Sequence, residues 1–216
     1  MSADLISLFT ATFVTFFVLI DALGVAPVFA TLSAEGTPAW RRRMAVKSIF
    51  VATVILFLFA FGGAWLMDAM HISIDAFRAA GGVLLFLIAL DMVFEKRTER
   101  REHRAEGVLE ERQNHQEPDD ISVFPMGIPM IAGPGSIATA MFYMSDASNW
   151  MEKGVVLAAI GLNLLLTLIV FLLAGPLVRL LGASVAGAMT RILGVVLAAL
   201  SIQLLIDGIK GAFNLG

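Results

Sequence analysis

The chain has 216 residues, 58% hydrophobic and 15% charged, with a mean hydropathy of +0.86. One soluble core of that size cannot hide so much apolar surface, so an ordinary globular domain is excluded and a polytopic membrane protein is implied. With no cysteine, disulfides and thiolate metal sites are excluded as well, while the net charge of −3 says little about partners because the charges are segregated into loops.

The first apolar stretch, Leu5 to Ala34, holds no Lys or Arg and a single charge, Asp21. It is longer than one straight crossing, which predicts a helix, a break near Asp21–Pro27 and a continuation. No Lys or Arg precedes Arg41, so the basic region of a secretory signal is missing and the first helix is expected to be retained. Trp40-Arg41-Arg42-Arg43 and Lys47 read as a short basic loop. Ser48 to Met67 is 20 uncharged residues and predicts the second helix. A polar connection carrying His71, Asp75 and Arg78 leads to a third helix from about Ala76 to Phe94, with Asp91 near its end.

Glu95 to Asp120 carries 15 charged residues among 26. Like charges recur four apart (Arg97/Arg101, Arg100/Arg104, Glu102/Glu106, Glu106/Glu110), which disfavours a helix and predicts a solvated linker between two halves. The next 25 residues, Ile121 to Ser145, are uncharged yet contain three prolines and three glycines. Interior prolines free backbone carbonyls, and lipid tolerates that only where protein or a wet cavity satisfies them. This broken fourth segment is expected to be the functional centre. Gly154 to Val178 predicts the fifth helix and Ile192 to about Ile209 the sixth, joined by the apolar stretch Gly175–Thr190.

With the N-terminus outside, 12 of the 15 Lys and Arg residues fall on the cytoplasmic side and only Arg78, Lys153 and Lys210 outside. The positive-inside rule then gives both termini outside the membrane. The halves resemble one another: Phe77-Arg78-Ala79-Ala80-Gly81-Gly82-Val83-Leu84 aligns with Thr190-Arg191-Ile192-Leu193-Gly194-Val195-Val196-Leu197, Trp40 with Trp150, and the Asp21–Gly24 break with Ala132–Gly135. The reading is an all-α polytopic membrane protein of six transmembrane helices in two inverted three-helix repeats, residues 1–94 and 121–216, with 95–120 as a charged cytoplasmic linker. Paired broken helices in inverted repeats are the architecture of secondary transporters, with the site at the midplane. The third and sixth helices read as short, each starting at an arginine that snorkels.

Several residues are candidates for chemistry. Gly133-Pro134-Gly135-Ser136 at the start of a half-helix would present unpaired N–H groups to an anion, with Ser136 and Thr139 adding hydroxyls; the other reading is a kink that lets helices approach closely. Asp21 is the only acid deep in the first half, able to hold an ammonium group, bind a coupling proton or cation, or cap the half-helix after it. Asn163, within the fifth helix, is a cavity candidate, whereas Gln203 and Ser201 read as glue between helices. Asp91 and Asp207 read as interfacial. Ser136 has no His or Lys in the apolar blocks to activate it, and the three histidines (His71, His103, His115) lie outside those blocks, so neither an embedded hydrolase nor a histidine-bound metal is expected.

Two motifs carry a resemblance. Asp21-Ala22-Leu23-Gly24-Val25-Ala26-Pro27 resembles the Asp-Pro-x-Gly-x-x-Pro signature of the MarC/SnatA family of bacterial and archaeal inner-membrane proteins. Ile128-Pro129-Met130-Ile131-Ala132-Gly133-Pro134-Gly135-Ser136-Ile137 is similar to that family's Ile-Pro-x-x-Ala-Gly-Pro-Gly-x-Ile signature. Ala22 departs from the pattern where proline is usual, leaving the first break to Gly24 and Pro27. The resemblance implies a multi-pass inner-membrane transporter of small solutes, with small neutral amino acids such as glycine and alanine as the associated class. The substrate-binding set is then Asp21, Gly24, Gly133, Gly135, Ser136, Thr139 and Asn163. A small-molecule substrate and membrane lipid are the expected partners, with nucleic acid and cofactors not expected. The coupling ion (H+ or Na+), oligomeric state and transport direction stay open, as do a metabolite exporter and a non-transport membrane protein.

Overall fold

In the computed structural model, which describes residues 2–112 and 120–213, the first apolar stretch folds as α1 (Ser2–Ile20) and α2 (Ala22–Leu32). Asp21 alone makes the break. Its backbone is left-handed (φ 51, ψ 58), and its side chain accepts the Gly24 N–H at 3.2 Å. Asp tolerates that conformation better than most residues and caps the helix it opens. The break is therefore one residue wide, and Pro27 lies inside α2 without ending it.

Helix α3 (Pro38–Ala69) starts earlier than its uncharged run. Thr37 caps it by accepting the Trp40 N–H at 3.2 Å, and Pro38 occupies the first turn, where its missing N–H costs nothing. Trp40–Arg43 are thus helical and not a loop. Arg41 reaches back to the carbonyls of Gly36 (2.9 Å) and Ala34 (2.6 Å). Helix α4 (Ile74–Val93) follows with Ser73 as its cap, so Asp75 and Arg78 are helical too.

The charged segment is not an extended solvated linker. Residues Lys96–Arg112 form a helix, α5, with Arg101 and Ala105 buried against the rest of the protein. The like-charge penalty between neighbouring arginines is a few tenths of a kcal/mol per pair. It is outweighed because those arginines find acceptors on α1, α4 and the first break. Residues 113–119, including His115, lie outside the described part of the chain.

The proline-rich segment runs as an irregular wide-turned coil, Ser122–Ile131, with Phe124 and Ile128 in extended conformation, then bends by 58° into α6 (Pro134–Asp146). Pro125 cannot donate to Ile121, and the carbonyl of Ile121 instead accepts Met126 N–H at 3.2 Å, one residue further on. Ala132 does the same for Gly127 at 2.9 Å. Lys47–Asp120 and Arg78–Asp146 ion pairs pin its two ends to opposite ends of the α3–α4 hairpin, so the bent pair passes from one side of the molecule to the other.

Helix α7 (Trp150–Leu172) opens on a reciprocal cap, in which Asn149 accepts the Glu152 N–H and Glu152 accepts the Ser148 N–H. Helix α8 (Ala174–Phe213) is interrupted at Gly182, whose φ of 70 and ψ of 160 suit glycine alone. The apolar stretch after it, Val185–Phe213, has 29 residues, so the last span is long and Arg191 lies within it instead of starting it. With the bent pair taken as one crossing, six segments among the described residues are long and apolar enough to span a membrane.

The main core lies between α1, α2, α3, the irregular coil and α7, and includes Phe16, Phe29, Leu56, Met126, Ile131 and Phe171. Phe29 and Phe171 stack at 4.6 Å and 5°, a geometry worth about 0.5–1.5 kcal/mol beyond burial. Helices α4 and α8 pack antiparallel with backbone contact: a Cβ on Gly82 would sit 2.7 Å from Leu205 N, and one on Gly208 2.5 Å from Ala79 N. The outer face of α3 exposes Val46, Phe50, Val54, Leu58, Phe61 and Trp65 at helical spacing. Such an apolar stripe is untenable in water and is the surface a lipid-facing helix presents.

Candidate functional site

The two breaks solve the same backbone problem in opposite ways. Helix α2 is closed by its own carboxylate, Asp21. Helix α6 begins Gly133-Pro134-Gly135-Ser136 with no side-chain cap. Its first internal bond runs from Ile137 N–H to Gly133 O at 3.0 Å. The N–H groups of Gly135 and Ser136 therefore have no partner among the described residues, and they carry the positive end of the helix dipole.

That open end faces a cavity of about 180 Å³. Its walls are Leu19 of α1, Ile88 and Asp91 of α4, Arg97, Arg100, Arg101 and Arg104 of α5, Pro129 and Met130 of the coil, and Gly133–Ser136. The four arginines stand at i, i+3, i+4 and i+7, one face of α5, which is why a single short helix delivers them all.

Each guanidinium has a distinct setting. Arg101 is 4% exposed and donates from Nη1 to Asp21 Oδ2 at 2.8 Å, while its buried Nη2 has no hydrogen-bond partner. Arg100 grips Asp91 with two bonds of 2.6 and 3.1 Å. Among the described residues, Arg97 donates to neutral acceptors only, Leu19 O at 2.5 Å and Met92 Sδ at 3.0 Å. The Leu19 carbonyl lies in the last turn of α1, just before the break. Burial and the adjacent Arg101 charge pull Arg97 down to about 9, against the opposing pull of Asp21 and Asp91, which leaves it charged at neutral pH. Arg104 lines the cavity with no hydrogen bond or ion pair among the described residues.

Asp21 is fully engaged. It is 1% exposed, and besides Arg101 and Gly24 it accepts Thr190 Oγ1 at 3.2 and 3.1 Å. A solute ammonium has no free oxygen there. Gly24 packs against this cluster so tightly that a Cβ would lie 2.2 Å from Asp21 Oδ2 and 2.8 Å from Arg101 Nη1.

Of the sequence-derived set, Gly133, Gly135 and Ser136 line the cavity, and Asp21 and Gly24 sit behind its Arg101 wall. Thr139 is one turn further along α6, buried, with an unpartnered hydroxyl. Asn163 is elsewhere: its side-chain amide donates to Phe13 O and Ala159 O, both at 3.0 Å, joining α7 to α1. Gln203 donates to Asp207 and Ser201 to the Ala198 carbonyl, both within α8. Asp91 is part of the cavity wall, beyond the interfacial role read from its place near a helix end.

A model of the MarC family integral membrane proteins matches residues 6–213 of the chain. The chain belongs to the MarC family. Among curated relatives of this MarC chain, two from Methanocaldococcus jannaschii, both named UPF0056 membrane protein, are 35% and 36% identical over 98% and 94% of the chain and 90% and 97% of their own lengths. UPF0056 membrane protein YhcE of Escherichia coli is 31% identical over 93% of the chain and 91% of its own length. No solved structure matches.

The arginines and Thr190 escaped the sequence reading of this MarC protein. The signal for the arginines was present as the spacing 97, 100, 101, 104, which is a helical stripe as well as a set of repulsive pairs. Thr190 had none, since it meets Asp21 only through the fold.

Proposed function

We propose that this MarC-family protein is a secondary transporter of small solutes, working by alternating access around the cavity between the two broken spans. The observation that carries this reading is the uncapped start of α6 opening onto a polar cavity within a broken crossing. Irregular backbone at membrane depth is tolerated where it lines such a site. The two breaks and the antiparallel α4–α8 pair are what two inverted repeats of three spans give. The basic end of the molecule, with α5, is then cytoplasmic, and both termini are outside.

The solute class is a small carboxylate-bearing metabolite, with glycine- and alanine-like amino acids the first candidates from the resemblance of the motifs. A cavity of about 180 Å³ suits a solute of that size and is below the usual drug-sized pocket. The carboxylate sits at the Gly135 and Ser136 N–H groups. An enzymatic role is not proposed, because neither His nor Lys is among the residues lining the cavity with Ser136.

Counterflow of labelled glycine and alanine in proteoliposomes tests the reading. Uptake above empty liposomes that excess unlabelled solute abolishes is expected. No exchange with either amino acid, in protein whose fold is verified, removes amino acids of this kind as substrates.

A further inference from the structure

We propose that helix α5 supplies an oxyanion site: Arg97, Arg101 and Arg104 hold a carboxylate or phosphate group of a small soluble ligand against the Gly135 and Ser136 N–H groups of α6. The inference shares its cavity with the transport reading above, but binding at the site stands or falls without transport.

Among the described residues, four guanidiniums line the cavity with a single carboxylate, Asp91, which Arg100 occupies with two bonds. Asp21, behind the wall, answers Arg101. Arg97 and Arg104 have no carboxylate of their own among the described residues, so two positive charges and a helix N-terminus converge there without a described anion to meet them. Nη2 of Arg101 is buried without a partner while the residue lines the cavity. A buried N–H of a cation left unpaired is costly, and a ligand oxygen is the acceptor that fits. The guanidinium fork matches the paired oxygens of a carboxylate or phosphate.

The charge balance also ranks ligands. Both nearby acids are already engaged, so the site has no acceptor ready for a ligand ammonium and two cations ready for oxygens. Ligands with more negative charge bind better: succinate or inorganic phosphate ahead of alanine.

Thermal unfolding of the purified full chain in neutral detergent, titrated with succinate, inorganic phosphate or alanine against sodium chloride at matched ionic strength, tests this. Saturable stabilisation by succinate or phosphate beyond chloride is expected. Succinate alone identifies a carboxylate site and phosphate alone a phosphate site. Arg104→Gln, which breaks no ion pair among the described residues, should weaken that binding about tenfold or more. Arg104→Lys should retain part of it, and Arg42→Gln, on the exposed start of α3, should leave it unchanged. Stabilisation no greater than that by chloride, or binding that Arg104→Gln leaves intact, overturns the proposal. Binding without counterflow of either amino acid or of the bound anion would reject the transport reading alone. Counterflow without any saturable stabilisation by succinate or phosphate would reject the oxyanion site alone.

Discussion

Arg101 and Asp21 are 80 residues apart in sequence, yet Nη1 of one lies 2.8 Å from Oδ2 of the other. Their side chains are 5% and 0% exposed. Removing one partner of such a pair leaves a buried charge unanswered, at a cost of about 3–5 kcal/mol. Arg101→Met should therefore lower the melting temperature strongly. Adding Asp21→Asn to it should recover most of the loss, because Asn keeps the cap to Gly24 and tolerates the left-handed backbone. A double variant no more stable than Arg101→Met would mean the pair is not coupled.

Asp21→Asn alone removes the charge that answers Arg101 while retaining the helix cap. It should lower the melting temperature, because Arg101 is left unanswered, and also reduce counterflow per folded molecule. Wild-type exchange in this variant would show that the carboxylate has no part in transport.

The α4–α8 contact gives a sharper stability test within one dipeptide. A Cβ at Gly82 meets Leu205 N and Ser201 O at 2.7 and 2.8 Å, backbone atoms that cannot turn aside, whereas a Cβ at Gly81 meets nothing within 4 Å. Gly82→Ala should cost about 1–3 kcal/mol, and Gly81→Ala should be close to neutral. Equal melting temperatures for the two variants would refute the close approach.

Asn163 serves packing between α1 and α7, so its replacement separates glue from site. Asn163→Leu should cost about 1 kcal/mol of stability and leave the concentration for half-maximal counterflow unchanged. A large rise in that concentration with stability intact would place Asn163 in the binding path.

Asp120 supplies a pH dependence. Burial pushes its carboxyl up, but hydrogen bonds from Lys47 and Ser122 outweigh this and hold it below its ordinary 3.8. A carboxyl lower in the folded than in the unfolded protein stabilises the fold above the unfolded value, and that contribution drains as pH falls through the folded one. Lys47→Met should then melt slightly below wild type at about pH 7, by under about 1 kcal/mol for so exposed a pair. The gap should narrow at about pH 3. A gap that is constant over this range would exclude the ion pair as its source.

The apolar spans were legible because lipid imposes a length and composition that few other structures share. The break at Asp21 was legible for the same reason, since an acid at that depth needs a cause. The helical state of α5 was not. Local repulsion between Arg97 and Arg101 is a sequence property, but the carbonyl of Leu19 and the carboxylate of Asp21 that overcome it arrive only with tertiary structure. The early start of α3 was hidden similarly, because Arg41–Arg43 read as a topology signal while Thr37 and Pro38 were already capping a helix. Gly133–Ser136 was found from its composition, and what it faces was not.

The pins at Lys47–Asp120 and Arg78–Asp146 have a consequence for where the molecule is divisible. The segment that opens the second half of the chain is fastened at both ends to the first half. Phe29 from the first half stacks on Phe171 from the second. The charged stretch in the middle of the sequence looks like a seam, yet both buried clusters draw their residues from either side of it. A polypeptide cut there would yield two pieces, each presenting half of a shared interior to the lipid, and each would acquire its shape only by finding the other.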